Sequence, residues 1–379
     1  MALTLTAEQQ LLRDNAISFV RENAPVPHMR KLRDTKDAVG FSRDLWQQMV
    51  ELGWAGIVVP ESYGGLGLGW TELGLVLEAC GRTLAPQPLL STAVLGSALL
   101  LAGGSDAQKQ SLLPAICQGR IICALALEES ARWNPYRIAC KAERSGQSYR
   151  LSGMKTFVLD GHVAQQLIVA ARTSGATDDR QGISLFLVDP QQAGVKIERT
   201  LMLDSRNAAR LTLEAVEVPS SALLGQLDKG ADVLDPVLDR AAVCVSAELL
   251  GLISQAYETT LEYLKTRVQF DALIGTFQAL QHRAVNLFCE IELCKSLVAD
   301  ALAAQDDGRD DAPLMASAVK ARLSDAASLI SRDAVQLHGG IGMTDEHDIG
   351  FYLKRAAVGE ATFGDAAYHR DRFARLKGF

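Results

Sequence analysis

The chain has 379 residues, a length that suits two or three domains with room for a buried core and a bound cofactor. Hydrophobic residues make up 48% of the chain and charged residues 22%, a balance that is typical of a folded globular enzyme and excludes a disordered chain. The formal net charge of -7 excludes a general electrostatic attraction to nucleic acid or to an anionic membrane. We therefore predict neither a nucleic-acid partner nor a membrane partner.

The cysteines and histidines give no pattern of metal or disulfide chemistry. The seven cysteines include no Cys-x-x-Cys pair, and no two of the six histidines stand at His-x-x-x-His spacing. We expect buried thiols in a reducing compartment and no metal site. The first residues lack the charged start and apolar run of a signal peptide, and no apolar span of 18 residues follows. These features predict a cytoplasmic protein.

The N-terminal third has the periodicity of helices. From Thr6 to Gly119, apolar residues recur at helical spacing, as at Leu73, Val76 and Leu77. The glycine-rich stretch 64–69 cannot continue a helix, so we place it in a loop before a helix that begins near residue 71. We predict an all-α domain over residues 1–120.

The middle of the chain has the pattern of strands. Short β-branched or alternating runs lie at residues 121–127, 149–151, 156–159, 167–171, 183–188 and 211–218. Helices do not alternate with these runs, so we predict an antiparallel barrel or sandwich over residues 121–224 and not a doubly wound sheet. A Rossmann GxGxxG motif is absent, so this domain would have to hold a dinucleotide in another way.

The last third returns to helices. Helical patterns at residues 232–265, 276–304, 313–337 and 348–376 predict a four-helix bundle domain over residues 225–379. The acidic stretch 305–311 is best interpreted as a solvated loop between two of these helices. The predicted fold class is therefore an α + β multi-domain protein with a helical domain, a β domain and a helical bundle in this order.

Two segments of the C-terminal third carry the most information. Residues 267–278 put a cation, an aromatic and an amide at one end of a helix, and residues 336–342 end a helix with an amide and glycines that let backbone approach a ligand. Their order and spacing, together with residues 60–67 and the closing helix with His369 and Arg370, resemble the acyl-CoA dehydrogenase family. The predicted α, β, α order of domains is similar to the architecture of that family.

The resemblance implies FAD bound between the β domain and the C-terminal bundle, with a neighbouring subunit supplying part of the site. Arg267 would then make two charge-assisted bonds to phosphate oxygens, and the enzyme would be a homodimer, a homotetramer or a heterotetramer with a paralogous subunit. Phe157 matches the family's Trp over the flavin ring, while Leu127 and Leu159 replace hydroxyl residues that usually bond the flavin. The full set of implied cofactor residues is Arg267, Phe270, Ile274, Phe277, Gln278, Gln336, Gly339, Gly340, Leu127, Phe157, Leu159 and Asp365.

The family's reaction is the α,β-desaturation of an acyl-CoA, with electrons passed to an electron-transferring flavoprotein. A carboxylate must remove the α-proton in a dry pocket, yet Phe363 occupies the position where most members carry their catalytic Glu. Asp239 matches the place where isovaleryl-type members keep a Glu. Its alternative role is that of a carboxylate at a helix start, paired with Arg240. Asp365 lies two residues past the position of the usual catalytic Glu. Its alternative role is that of a carboxylate at the N-terminus of the final helix.

We therefore predict an FAD-dependent acyl-CoA dehydrogenase in which Asp239 or Asp365 is the base. Two alternatives stay open. The chain is a subunit of a heteromeric dehydrogenase that lacks its own base or flavin, or it is a related flavin monooxygenase or oxidase, in which a missing Glu would be expected.

Overall fold

The protein is described from a computed structural model, which describes residues 4–379. The chain divides into two compact units. The first unit consists of the residues up to 35, residues 70–86 and residues 242–379, and the second consists of residues 36–69 and 87–241. Helical segments precede and follow a central sheet-forming segment, which confirms the predicted fold class. No helix among residues 4–379 is long and apolar enough to cross a membrane.

The helices follow the predicted periodicity closely. In chain order, the α-helices are α1 (Ala7–Asn23), α2 (Val26–Asp34), α3 (Arg43–Glu51), α4 (Trp70–Thr83), α5 (Ser97–Gly103), α6 (Asp106–Cys117), α7 (Gly230–Thr266), α8 (Gln278–Asp306), α9 (Ala312–His338), α10 (Ile349–Ala361) and α11 (Ala366–Leu376). A π-helical segment, Leu90–Gly96, leads into α5. Short 3-10 turns lie at Ile274–Thr276 and Gly339–Met343, next to the two segments singled out by their sequence.

The second unit contains a mixed sheet. The strands of the chain are β1 (Cys123–Ala126), β2 (Lys141–Ser145), β3 (Ser148–Leu159), β4 (Gln166–Arg172), β5 (Ile183–Val188), β6 (Val195–Leu201), β7 (Asn207–Pro219), β8 (Leu223–Leu224), β9 (Val268–Gln269) and β10 (Ala272–Leu273). The first eight form one sheet in the order β6-β7-β3-β2-β4-β5-β8, with β1 also paired to β4. Most pairs are antiparallel as predicted, but β1 and β2 both run parallel to β4.

The predicted last helix is two helices. A single helix over residues 348–376 is wrong because the chain leaves helical geometry at Phe363 and Gly364, whose φ angles are 58° and 100°. Asp365 then begins α11 as its N-cap and accepts a hydrogen bond from the Tyr368 backbone N–H at 2.8 Å. The break follows from the glycine, which adopts positive φ without steric cost, and from the aspartate, which satisfies the free N–H groups of a new helix.

Helices α4 and α7 of the first unit pack backbone against backbone. A Cβ atom added at Gly81 would lie 2.0 Å from the Glu248 carbonyl oxygen, and one at Gly251 would lie 1.8 Å from the Glu78 carbonyl oxygen. Next to this contact, the Arg355 side chain of α10 pairs with the Glu248 carboxylate at 3.1 Å, and both side chains are only 4% exposed. The ion pair therefore joins α10 to α7 inside the core of the first unit.

We predict that Arg355→Met lowers the free energy of unfolding by about 3–5 kcal/mol, because the Glu248 carboxylate stays buried without this cation. The double variant Arg355→Met, Glu248→Gln should recover most of that loss. Denaturant unfolding curves measure both. A matched control is Arg375→Met, which breaks the exposed pair of Arg375 with Asp371 and should cost less than about 1 kcal/mol. Equal midpoints for Arg355→Met and wild type would contradict the role given to the buried pair.

Candidate active site

Arg267 leaves the end of α7 with a side chain that is free to meet a ligand. It is the first residue after the helix, and it is exposed. No carboxylate in the described part of the chain pairs with its guanidinium. Its backbone N–H donates to the Tyr263 carbonyl and its carbonyl accepts from the Ile274 N–H, both at 2.9 Å, so the backbone is held while the side chain is not.

A two-stranded hairpin follows Arg267. Strands β9 and β10 pair antiparallel, and the turn between them consists of Phe270 and Asp271, with φ angles of 55° and 61°. Positive φ is the geometry of the tight hairpin turn, but it strains a residue with a bulky side chain. Phe270 is nevertheless 89% exposed, and its ring makes an edge contact with Phe277 at 6.3 Å. An exposed aromatic on a strained turn is a feature of surfaces that meet a ligand or another chain.

The other residues predicted from this segment differ in exposure. Ile274 is buried within the first unit, and Phe277 is half-buried at the N-cap of α8. Gln278 is the first residue of α8 and is exposed. The exposed members of the set are therefore Arg267, Phe270 and Gln278.

The turn after α9 has open space around its glycines. Gln336, Gly339 and Gly340 are all exposed, and a Cβ atom at either glycine would meet no described atom within 4 Å. Gly339 has a φ of 66°, which explains a glycine at that position. Gly340 has no such angle, so neither backbone strain nor packing among the described residues requires a glycine there. The residues fit close approach of a group from outside the chain, as a dinucleotide would need.

Stacked rings bring the two segments together in the first unit. Tyr263, one helical turn before Arg267, stacks on His338 with ring centroids 4.4 Å apart, and His338 also contacts the His347 ring at 4.4 Å. The His338 Nδ1 atom lies 2.8 Å from the Ala334 carbonyl oxygen, so Nδ1 carries the proton. Burial lowers the pKa of His338, which keeps this ring neutral at pH 7. The stack links the last turn of α7, which precedes Arg267, to the end of α9, which precedes the Gly339 turn.

The second unit holds the three residues predicted to face the flavin ring. Leu127 is buried directly after β1, Leu159 is half-buried at the end of β3, and Phe157 is exposed. Phe157 has a φ of 52° and lies where the register between β3 and β7 shifts. A bulge of this kind redirects a side chain out of the regular alternation of a strand, which explains the exposure of its ring.

A buried ion pair that the sequence predictions missed lies beside these residues. The Lys155 side chain is fully buried, and its Nζ donates to the Leu127 carbonyl at 3.2 Å and to the Glu129 carboxylate at 2.6 Å. Glu129 in turn accepts from the backbone N–H groups of Ala139 and Cys140 at 2.6 and 3.0 Å. The signal was present, since Lys155 falls on the same face of β3 as buried Leu151.

The neighbouring Glu128 has a perturbed carboxyl group that was also missed. Burial raises the pKa of Glu128 to about 8. A carboxyl group with this pKa is largely protonated at pH 7.

The two candidate bases differ in their surroundings. Asp239 lies on α7 in the second unit and is 6% exposed. Asp365 lies in the first unit, is exposed, and has one carboxylate oxygen bonded to the Tyr368 N–H as a helix cap. Asp239 is therefore shielded from solvent, whereas Asp365 is exposed and caps a helix.

Comparisons with known proteins cover nearly the whole chain. Sequence profiles of the acyl-CoA dehydrogenase N-terminal, middle and C-terminal domains match residues 6–120, 123–216 and 228–377. Mitochondrial isovaleryl-CoA dehydrogenase of Pongo abelii is 30% identical over 97% of this chain and 88% of that protein. The ChsE4-ChsE5 complex of Mycobacterium tuberculosis contains a chain that is 27% identical with a TM-score of 0.90, covering 100% of this chain and 99% of that one. Butyryl-CoA dehydrogenase of Megasphaera elsdenii has the same fold, with a TM-score of 0.92 at 23% identity and full coverage of both chains.

We predict that Gly340→Ala changes the free energy of unfolding of the flavin-free protein by no more than about 0.5 kcal/mol, because the added methyl group meets open space. The same variant should retain less FAD after gel filtration, because the methyl group would occupy space that the cofactor needs. Gly81→Ala is the contrasting control, since its methyl group meets backbone, and should cost about 1–3 kcal/mol or more. Full FAD retention by Gly340→Ala would remove this turn from the cofactor site.

Proposed function

The chain belongs to the acyl-CoA dehydrogenase family of oxidoreductases, and we propose that it desaturates an acyl-CoA thioester between the α- and β-carbons with FAD as its cofactor. FAD, when bound, accepts the hydride that leaves the β-carbon. The observation that carries the proposal is that the first unit contains both an exposed Arg267 with no carboxylate partner and a glycine turn with open space at Gly340.

The residues of the first unit fit a pyrophosphate-bearing cofactor. The planar guanidinium of Arg267 offers two parallel N–H donors to phosphate oxygens, and the Gly339 and Gly340 backbone allows a ligand to approach without a Cβ in the way. Gln336 adds an exposed amide beside the turn. In the family these groups serve the flavin of a neighbouring subunit, so we propose that the active protein is at least a dimer.

Asp239 is the proposed base. Its burial supplies the low-dielectric surroundings that a carboxylate needs to take a weakly acidic α-proton, and the Phe363 side chain has no group that accepts one. Aspartate is shorter than glutamate by one methylene, about 1.5 Å, so the substrate must approach α7 more closely than it would a glutamate. Similarity to isovaleryl-CoA dehydrogenase supports a branched or bulky acyl group as the substrate. The α-carbon of such a group would lie within reach of a base on α7.

The proposed electron acceptor is an electron-transferring flavoprotein. This acceptor follows from membership in the family, whose members pass electrons to such a protein. A purified enzyme that reduces an artificial dye but no electron-transferring flavoprotein would remove this part of the proposal.

A second candidate function is a subunit of a heteromeric acyl-CoA dehydrogenase. It is favoured by the similarity to a chain of the ChsE4-ChsE5 complex and by the apolar residues at positions 127, 159 and 363. In that case a paralogous chain would supply the base or the missing flavin contacts. Activity that appears only after a paralogous chain is added would support this candidate over the first.

We predict that Arg267→Ala weakens FAD binding by about 1.5–3 kcal/mol, the cost of losing charge-assisted bonds to phosphate. The dissociation constant of FAD should rise roughly tenfold to a hundredfold, measured by fluorescence titration of the flavin-free protein. Arg21→Ala is the control, since Arg21 is exposed near the end of α1. Equal affinities of Arg267→Ala and wild type for FAD would rule out the proposed role of Arg267.

We predict that Asp239→Asn slows exchange of the acyl-CoA α-proton with solvent deuterium by about a hundredfold to ten-thousandfold, because an amide takes up no proton. FAD content should stay unchanged. Asp365→Asn is the matched control, since asparagine caps a helix as well as aspartate, and it should exchange at the wild-type rate. The reverse result, with Asp365→Asn inactive and Asp239→Asn active, would move the base to Asp365.

A further inference from the structure

Lys320 is a fully buried charged residue that the proposed chemistry does not use. It lies on α9 and has no exposed surface. Its neighbours one turn away on the same helix face, Ala316 and Leu323, are apolar and fully buried. Removing an ammonium group from water is costly unless hydrogen bonds replace the lost hydration, so the contacts of Lys320 must compensate for that cost.

Three oxygen atoms surround the Lys320 Nζ atom. It donates to the Gly364 carbonyl at 2.7 Å, to the Glu360 carbonyl at 2.9 Å and to the Ser324 hydroxyl at 3.0 Å. Three acceptors match the three N–H groups of an ammonium ion, whereas a neutral amine would leave one of them without a donor. Burial lowers the pKa of Lys320 to about 7, while the Glu360 and Asp365 carboxylates act in the opposite direction.

His369 holds the same segment from α11. Its Nε2 atom lies 2.9 Å from the Phe363 carbonyl oxygen, and the ring is buried. Burial lowers the pKa of His369 to about 4, so the ring is neutral at pH 7, and the carbonyl requires the proton on Nε2. The carbonyls of residues 360, 363 and 364 are therefore all turned inward, toward donors on α9 and α11.

These contacts act on a strained backbone. Phe363 has a φ of 58°, a conformation that is unfavourable for a bulky residue and persists only when its surroundings hold it. The His369 hydrogen bond holds the peptide unit that follows Phe363, and Lys320 holds the carbonyls of Glu360 and Gly364, before and after it in the chain. The segment 360–364 is thereby held in one conformation by two side chains that have no contact with solvent.

We infer that Lys320 is a positioning residue of the reaction: with His369, it holds the segment 360–364 so that Phe363 lies where the acyl thioester is bound. The inference rests on the proposed function, because position 363 is where most family members carry their catalytic Glu. The sequence carried a signal for this role, since Lys320 falls on the apolar face of a predicted helix at a position where a charged residue is unexpected.

The first test measures the backbone and needs no activity. Amide hydrogen exchange of residues 360–366 is compared in wild type, Lys320→Met and Ser324→Ala. Lys320→Met should speed exchange roughly tenfold or more, because it removes both carbonyl contacts. Ser324→Ala removes the third acceptor but leaves both carbonyl contacts, and it should match wild type. If Lys320→Met does not fold, His369→Phe replaces it, since that variant removes only the bond to the Phe363 carbonyl. Wild-type exchange rates in the variant that folds would overturn the inference.

The second test separates positioning from general stability. In flavin-loaded protein, Lys320→Met should lower kcat by about tenfold to a hundredfold with an unchanged KM for the acyl-CoA, because a small misplacement of the site slows the chemical step. Ser324→Ala should keep the wild-type kcat. A wild-type kcat in Lys320→Met would overturn the inference even if exchange is faster. A wild-type enzyme inactive on every acyl-CoA would instead overturn the proposed function, and the positioning role with it, while the exchange test still decides whether Lys320 holds the segment.

Discussion

Two buried side chains, Lys320 and His369, hold the break between α10 and α11 through backbone carbonyls, and the proposed reaction site depends on this constraint. A continuous helix through residues 362–365 would leave no left-handed backbone at Phe363 and no helix start at Asp365. Because the break exists, the Asp365 carboxylate caps the first turn of α11. The base that we propose, Asp239, lies on another helix and is buried.

The glycines of the first unit are of two kinds: some are required by close packing of helices, and one is not required by packing and is proposed to bind a ligand. Gly81 and Gly251 exist because backbone from the facing helix lies within 2.0 Å of where a Cβ would be. Gly340 has nothing near its Cβ position among the described residues. The same contrast holds for arginines, since Arg355 is buried in an ion pair while Arg267 is exposed and unpaired. The Tyr263–His338 stack links the helix end before Arg267 to the helix end before the glycine turn, and we propose that both segments bind the cofactor.

Helix periodicity predicted most of this fold, because each long helix buries one apolar stripe. Strand prediction from alternating apolar residues failed for β2 and β6, because these strands are rich in Lys, Glu and Arg. Helix periodicity failed at residues 362–365, since a single glycine inside an apolar pattern does not by itself predict a helix end. The flavin residues came from a family resemblance, whereas Lys155 and Lys320 were overlooked because lysine is normally a surface residue. Their burial depends on carbonyls from distant segments, which local sequence does not reveal.

We propose that this chain, without a paralogous partner, binds FAD and removes hydrogen from an acyl-CoA. The most direct measurement is the visible absorption spectrum of the protein expressed alone, recorded without oxygen before and after addition of branched and straight-chain acyl-CoAs. We predict flavin absorption bands that bleach with at least one acyl-CoA. A colourless protein that acquires flavin only with a paralogous chain, or a flavin spectrum that no acyl-CoA bleaches, would contradict it.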